Sequence, residues 1–161
     1  MDYSIGQVLA LTGAALSVTL AGMGSAKGVG SAGQTSAGVS SVSPELNSKL
    51  MVLQLLPGTQ GIYGFLVGVM ILINTQVLGG NMLPVTLEQG LMFIASAIPV
   101  GVVGYFSAIH QANVASAGML MVGEHPDMSG KAITMAVLVE TYAVFALLAS
   151  ILMVMAIKLQ G

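Results

Sequence analysis

The chain has 161 residues, of which 55% are hydrophobic and only 6% charged, far from the roughly 25% charged residues of an ordinary soluble domain. That is the composition of a membrane protein. The formal net charge is −2 and every basic side chain apart from histidine is a lysine, so no basic surface exists to hold a nucleic-acid backbone. The lack of cysteine excludes disulfides, thiol nucleophiles and thiolate metal sites.

In chain order, the N-terminal "MDYSIGQ" carries Asp2 rather than the lysines and arginines of a signal peptide. The first apolar segment is therefore expected to stay in the mature protein. A spanning helix needs about 20 apolar residues. Between Asp2, Lys27, Glu45, Lys49, Glu88, Glu124, Asp127, Lys131, Glu140 and Lys158, four stretches reach that length: 3–26, 50–78, 89–123 and 132–157, the last only if Glu140 is tolerated. They predict an all-α membrane protein with four transmembrane helices. Several exceed the ~30 Å hydrocarbon thickness at ~1.5 Å per residue, so they tilt or continue past the bilayer.

The connections are "SSVSPELNSK" (40–49), "LGGNMLPVTLEQ" (78–89) and "VGEHPDMSGK" (122–131), each holding proline among turn-forming residues. Lys49 and Lys131 flank the first and third, which by the positive-inside tendency makes those loops cytoplasmic, with both termini and the middle loop outside. Lys158 argues the other way.

The halves resemble each other. "GSAKGVGSAG" (24–33) lies over "IHQANVASAG" (109–118), and "GIYGF" (61–65) falls near "ETYAV" (140–144) with Tyr63 over Tyr142 and Gly61 in the place of Glu140. A duplicated helical hairpin is expected, residues 1–80 forming the first and 81–161 the second. The first and third helices are rich in small residues, among them Gly22, Gly24, Gly28, Gly30, Ala108, Ala112 and Ala115. Such residues let helices approach closely, either as a simple pair or as the crowded inner layer of a ring. "GMGSAKG" (22–28) follows no strand and matches no nucleotide-binding pattern.

An ionised carboxylate at mid-membrane costs from ~3 to more than 10 kcal/mol, so Glu140 must be protonated, ion-paired or coordinating something. Lys27 is placed toward the end of the first helix, which leaves a bound cation or proton. In "LQLLPGTQGIYGF" (53–65), Pro57 frees backbone oxygen near Leu53 and Leu56. Thr59, Gln60 and Tyr63 gather on one side of the second helix, and Gln111 adds an amide from the third. A proton needs only the carboxylate, whereas a dehydrated hard cation needs several oxygens in place of its water. Such an oxygen-rich set with one negative charge suits Na⁺ better than H⁺, and a divalent ion would want more carboxylates. His110 points roughly 100° away from Gln111 and is expected to pack or to lie between subunits. Tyr142 is expected to pack, and the twelve methionines are apolar filler.

"LPGTQGIYGF", "GSAKGVG" and "VETYA" together resemble the sixteen-kilodalton proteolipid of V-type and archaeal-type rotary ATPases, closest to the K subunit of bacterial sodium-pumping V-type ATPases. The likeness covers nearly the whole chain. It implies a homo-oligomeric rotor ring of four-helix subunits in the cell membrane, turning against a stator membrane subunit and attached to a central-stalk subunit. It implies a non-catalytic role, with Na⁺ as cargo and H⁺ as competitor. It also implies an ion site made by the Leu56 carbonyl, Thr59, Gln60, Gln111 and Glu140, with Tyr63 hydrogen-bonding the glutamate. Two rivals stay open: a small four-helix proton-coupled exporter, which would carry its acid in the first helix and line its cavity with aromatics including tryptophan, and a structural pore or scaffold.

Overall fold

A computed structural model describes residues 3–159; Asp2, used above as a boundary charge, lies outside them. The described residues form helices joined by short turns, with no strand among them. Four helical spans are long and apolar enough to cross a membrane: Ile5–Val42, Pro44–Asn74, Leu87–Glu124 and Pro126–Ala156. The chain is a multi-pass membrane protein.

Helix α1 (Ile5–Val42) opens on a capping box in which the Ser4 hydroxyl accepts from the Gln7 amide and the Gln7 side chain returns to the Ser4 N–H. It runs 38 residues, about 57 Å, through Lys27 rather than ending there. A lysine does not stop a helix whose backbone bonds are already satisfied, and Lys27 sits exposed on its surface. Its position is mid-helix, not near the end as expected: the neighbouring Ser25 and Gly28 touch Gly61 and Ala108. The second span is interrupted. Helix α2 (Asn47–Leu55) gives way to a 3₁₀ turn at Leu56–Gly58 and then to α3 (Thr59–Asn74), because Pro57 has no N–H to donate and its ring crowds the preceding turn. The third span, α4 (Leu87–Glu124), repeats the capping box with Thr86 and Gln89 and carries Pro99 inside it. Beside that proline, the Val100 N–H donates to the Ser150 hydroxyl at 3.1 Å, on α5 (Ser129–Ala156).

The duplication has a single register. Ile5 and Leu87 open the long helices, Val42 and Glu124 close them, and Pro44 and Pro126 start the turns, a constant step of 82 residues. Thr59 donates to the Leu56 carbonyl and, one step on, Thr141 donates to that of Leu138. This corrects the pairing expected from identity. Gly58, not Gly61, is the counterpart of Glu140, and the counterpart of Tyr142 is Gln60 rather than Tyr63. Tyr142 is 67% exposed on the outside of the chain, not packed within it.

The two long helices α1 and α4 form the most extensive contact, with α3 and α5 outside them. Their approach depends on missing side chains. A Cβ on Gly13 would lie 2.7 Å from the Phe93 carbonyl oxygen, and one on Gly28 would lie 2.8 Å from that of Ala108. The first and third connections meet at one end, where the Lys49 ammonium donates to the Pro126 carbonyl at 2.8 Å. At the other end the Gln7 amide reaches the Met82 and Leu83 carbonyls and Gln89 reaches that of Lys158. Two apolar clusters fill the interior, one around Leu50, Leu53, Met119 and Val122, the other around Val67, Ile71, Phe93 and Val154. A polar layer lies between them.

Candidate ion-binding site

The polar layer begins with two amides that have no access to solvent. Gln60 and Gln111 are both 0% exposed, and the Gln60 Nε2 donates to the Gln111 Oε1 at 2.6 Å. Gln60 stands in the first turn of α3, just beyond the Pro57 break, and Gln111 lies in the second half of α4. From Gln111 the chain of bonds continues outward, its Nε2 donating to the Glu140 Oε2 at 3.1 Å. The other carboxylate oxygen, Oε1, accepts from the Tyr63 hydroxyl at 2.5 Å. Tyr63 reaches it because Gln60 and Tyr63, three apart, share a face of α3. Glu140 is half-buried on α5. With a donor on each oxygen, its carboxylate is held in one orientation by charge-assisted bonds.

Leu56 and Thr59 sit on the turn just before Gln60. There the Thr59 hydroxyl donates to the Leu56 carbonyl at 3.0 Å, so these two are bonded to each other and adjoin the amide chain through the succession from Thr59 to Gln60. His110 is exposed and turned away from Gln111, as helical geometry requires. Ser107 joins the layer without having been expected there. Its hydroxyl lies 3.4 Å from the Gln60 Nε2 and donates to the Val139 carbonyl at 3.2 Å. The available signal is its spacing, one helical turn before Gln111 on the same face of α4. Serine is common in membrane helices, so the spacing does not single it out.

One atom in this layer has no counterpart. The Gln60 Oε1 is buried and accepts no hydrogen bond, a deficit of about 1–3 kcal/mol for a desolvated acceptor. The amide that bears it is linked through Gln111 to the Glu140 carboxylate, which already receives two donors, and an orphaned carbonyl oxygen can accept a cation or a further donor but not another acceptor. The set also holds a single acid: among the described residues no three His, Cys, Asp or Glu side chains cluster. Oxygen donors with one negative charge are the chemistry of a monovalent hard cation.

Long apolar helices in two like hairpins, packed by glycine contacts around a thin polar layer, define a membrane proteolipid. The sequence matches the ATP synthase C-subunit family over residues 12–71 and again over 94–153, the same step of 82 that the helices keep. The chain belongs to that family, as a proteolipid of the c/K type. It is 41% identical over 159 residues to the V-type sodium ATPase subunit K of Enterococcus hirae, covering 96% of this chain and 98% of that one. It is 39% identical over 150 residues to the A-type ATP synthase subunit K of Methanocaldococcus jannaschii, covering 93% of this chain and 63% of that one. Membership removes the exporter reading.

Proposed function

We propose that this chain is the rotor-ring component of an ATP-driven rotary pump and carries Na⁺, with H⁺ as competitor, on Glu140. The observation that carries the reading is the unpartnered Gln60 Oε1, buried beside the carboxylate network. The Leu56 carbonyl, Thr59, Gln60, Gln111 and Glu140 supply the oxygens. Tyr63 holds the carboxylate in place. The relative from Enterococcus hirae, a sodium ATPase subunit by name, supports the choice of ion.

The mechanism follows from the cost of charge in lipid. With Na⁺ bound, Glu140 is neutralised and its protomer can face the hydrocarbon; without it, the bare carboxylate incurs several kcal/mol. On the stator subunit, a cationic side chain competes for the carboxylate and releases the ion into an aqueous path. Because only filled sites re-enter lipid cheaply, rotation and ion flow become coupled. Moving one charge across 100 mV takes ~2.3 kcal/mol, so ATP hydrolysis in a separate head drives several ions per event. The chain itself hydrolyses nothing and is joined to that head through a central-stalk subunit. Lys49 and Lys131 support a cytoplasmic side for the first and third loops.

Radiolabelled Na⁺ binding to detergent-purified rings tests this. One Na⁺ per chain is expected, abolished in Glu140→Gln. Binding unchanged in that variant would overturn the proposal.

A further inference from the structure

Serines and threonines in a membrane helix commonly turn their hydroxyls back onto carbonyls of the same helix, and α1 has three that do so. Thr12 donates to Val8, Ser17 to Ala14 and Thr19 to Ala15, each at 2.8 Å. Ser25, buried on the same helix, is engaged differently. Its Oγ accepts from the Gly61 N–H at 2.8 Å, a bond to α3.

That N–H lies just past the interruption of the second span. In an unbroken helix its acceptor would be the Pro57 carbonyl, four residues back, but Leu56–Gly58 is a 3₁₀ turn. The Gly61 N–H belongs to the peptide unit that leaves the Gln60 Cα, so the Ser25 oxygen fixes the backbone plane from which the Gln60 side chain extends. The anchorage is close. A Cβ on Gly61 would lie 3.2 Å from both the Cβ and the Oγ of Ser25. On either side of Ser25, a Cβ on Gly24 would lie 2.5 Å from the Tyr105 Cα and one on Gly28 would lie 2.9 Å from the Pro57 Cβ.

The far end of Gln60 is held as well. Its Nε2 has two N–H groups, and its neighbours are the Gln111 Oε1 at 2.6 Å and the Ser107 Oγ at 3.4 Å. Ser107 is the counterpart of Ser25 one repeat of 82 residues on, and it too bonds to the helix beside it. It donates to the carbonyl of Val139, the counterpart of Pro57. Two equivalent serines thus pin Gln60, one at its backbone and one at its amide nitrogen, which leaves the buried Oε1 a single direction.

We infer that Ser25 is a positioning residue of the ion site: from α1, it aims the Gln60 Oε1 at the cation by holding the first turn of α3. The inference rests on the reading of Gln60 as an ion ligand. It extends the site to α1, the one transmembrane span that supplies no ligand. Tyr63 and Gln111 reach the Glu140 carboxylate directly, so losing the Ser25 oxygen leaves the acid's own bonds standing. Na⁺ binding is therefore expected to weaken where protonation does not.

The test follows dicyclohexylcarbodiimide labelling of Glu140 in detergent-purified rings across a Na⁺ series, read by mass spectrometry. In Ser25→Ala the labelling rate without Na⁺ is expected to match that of the native ring, while the Na⁺ concentration that halves it rises about tenfold. A change in both would overturn the inference, since it would mark a loosened fold rather than a misaimed ligand. Gly61→Ala keeps the hydroxyl but crowds it, and is expected to raise the Na⁺ requirement in the same direction. Ser17→Ala, which deletes an equally buried hydroxyl bonded to its own helix, is expected to change neither quantity. A native Na⁺ requirement in Ser25→Ala, or an equal rise in Ser17→Ala, would overturn this inference and leave Na⁺ binding itself intact. Labelling of the native ring that is indifferent to Na⁺ would instead overturn the reading of Gln60 on which the inference depends.

Discussion

Tyr63 and Glu140, 77 positions apart in sequence, are joined phenol to carboxylate at 2.5 Å, across the boundary between the two hairpins. The acid of the second half is thus held by a residue of the first. Tyr63→Phe removes a hydrogen bond to a charged group, worth about 1.5–3 kcal/mol. Na⁺ affinity in radiolabelled binding is expected to fall at least about tenfold, with the ring still assembled.

Gln60→Leu tests the amide layer. The substitution roughly keeps the side chain's volume while deleting the orphaned acceptor and the donor to Gln111. Na⁺ binding is expected to be lost, whereas protonation of Glu140, which needs only the carboxylate, persists. Binding assays alongside proton-uptake measurements on the purified ring distinguish the two losses. Ser107→Ala, which removes a weaker contact of 3.4 Å, is expected to cost only a few-fold in affinity.

How far this site can be read from sequence depends on which signals are local. Glu140, Gln60, Gln111 and Tyr63 stand out because polar side chains in apolar helices are rare enough to notice singly, and the structure does bring these four into one bonded chain. The four spans are legible from the spacing of charges. Their ends are not: Lys27 marks a boundary in the sequence but lies exposed in mid-helix, since a long cationic side chain can leave the helix surface without disturbing the backbone. The repeat is legible in kind and misleading in register. Matching Tyr63 with Tyr142 aligns two residues that face opposite surroundings, one bonded to Glu140 and the other exposed. Ser107 requires knowing which residue Gln60 meets across the helix pair, a non-local fact.

On the proposed reading, competition between Na⁺ and H⁺ for Glu140 sets the pH response. Na⁺ binding to a protonated site releases one proton, so apparent Na⁺ affinity falls as pH falls, by up to about tenfold per pH unit where protons dominate. Titrating Na⁺ binding across pH checks this. An affinity independent of pH at the acid end would mean that the two ions do not share Glu140.

The glycines of α1 separate into two mechanical classes. Gly28→Leu drives a side chain into the Ala108 backbone and Pro57, with a Cβ 2.8 Å from the Ala108 carbonyl oxygen. It is expected to destabilise the single chain by at least ~1–3 kcal/mol. Gly30→Leu, whose Cβ meets nothing within 4 Å, is expected to leave the isolated chain unharmed. Thermal unfolding of each variant in detergent compares them.

The most direct test of the ion site is carbodiimide labelling. A protonated carboxyl in an apolar setting adds through its oxygen to the central carbon of dicyclohexylcarbodiimide, its proton passing to a carbodiimide nitrogen, and mass spectrometry of digested rings reports the modified residue. Glu140 is expected to be the residue labelled at neutral pH, and millimolar Na⁺, but not K⁺, is expected to slow the reaction by keeping the carboxylate ionised and coordinated. Labelling of Glu140 at the same rate with and without Na⁺ would contradict Na⁺ binding there and leave a proton-carrying ring.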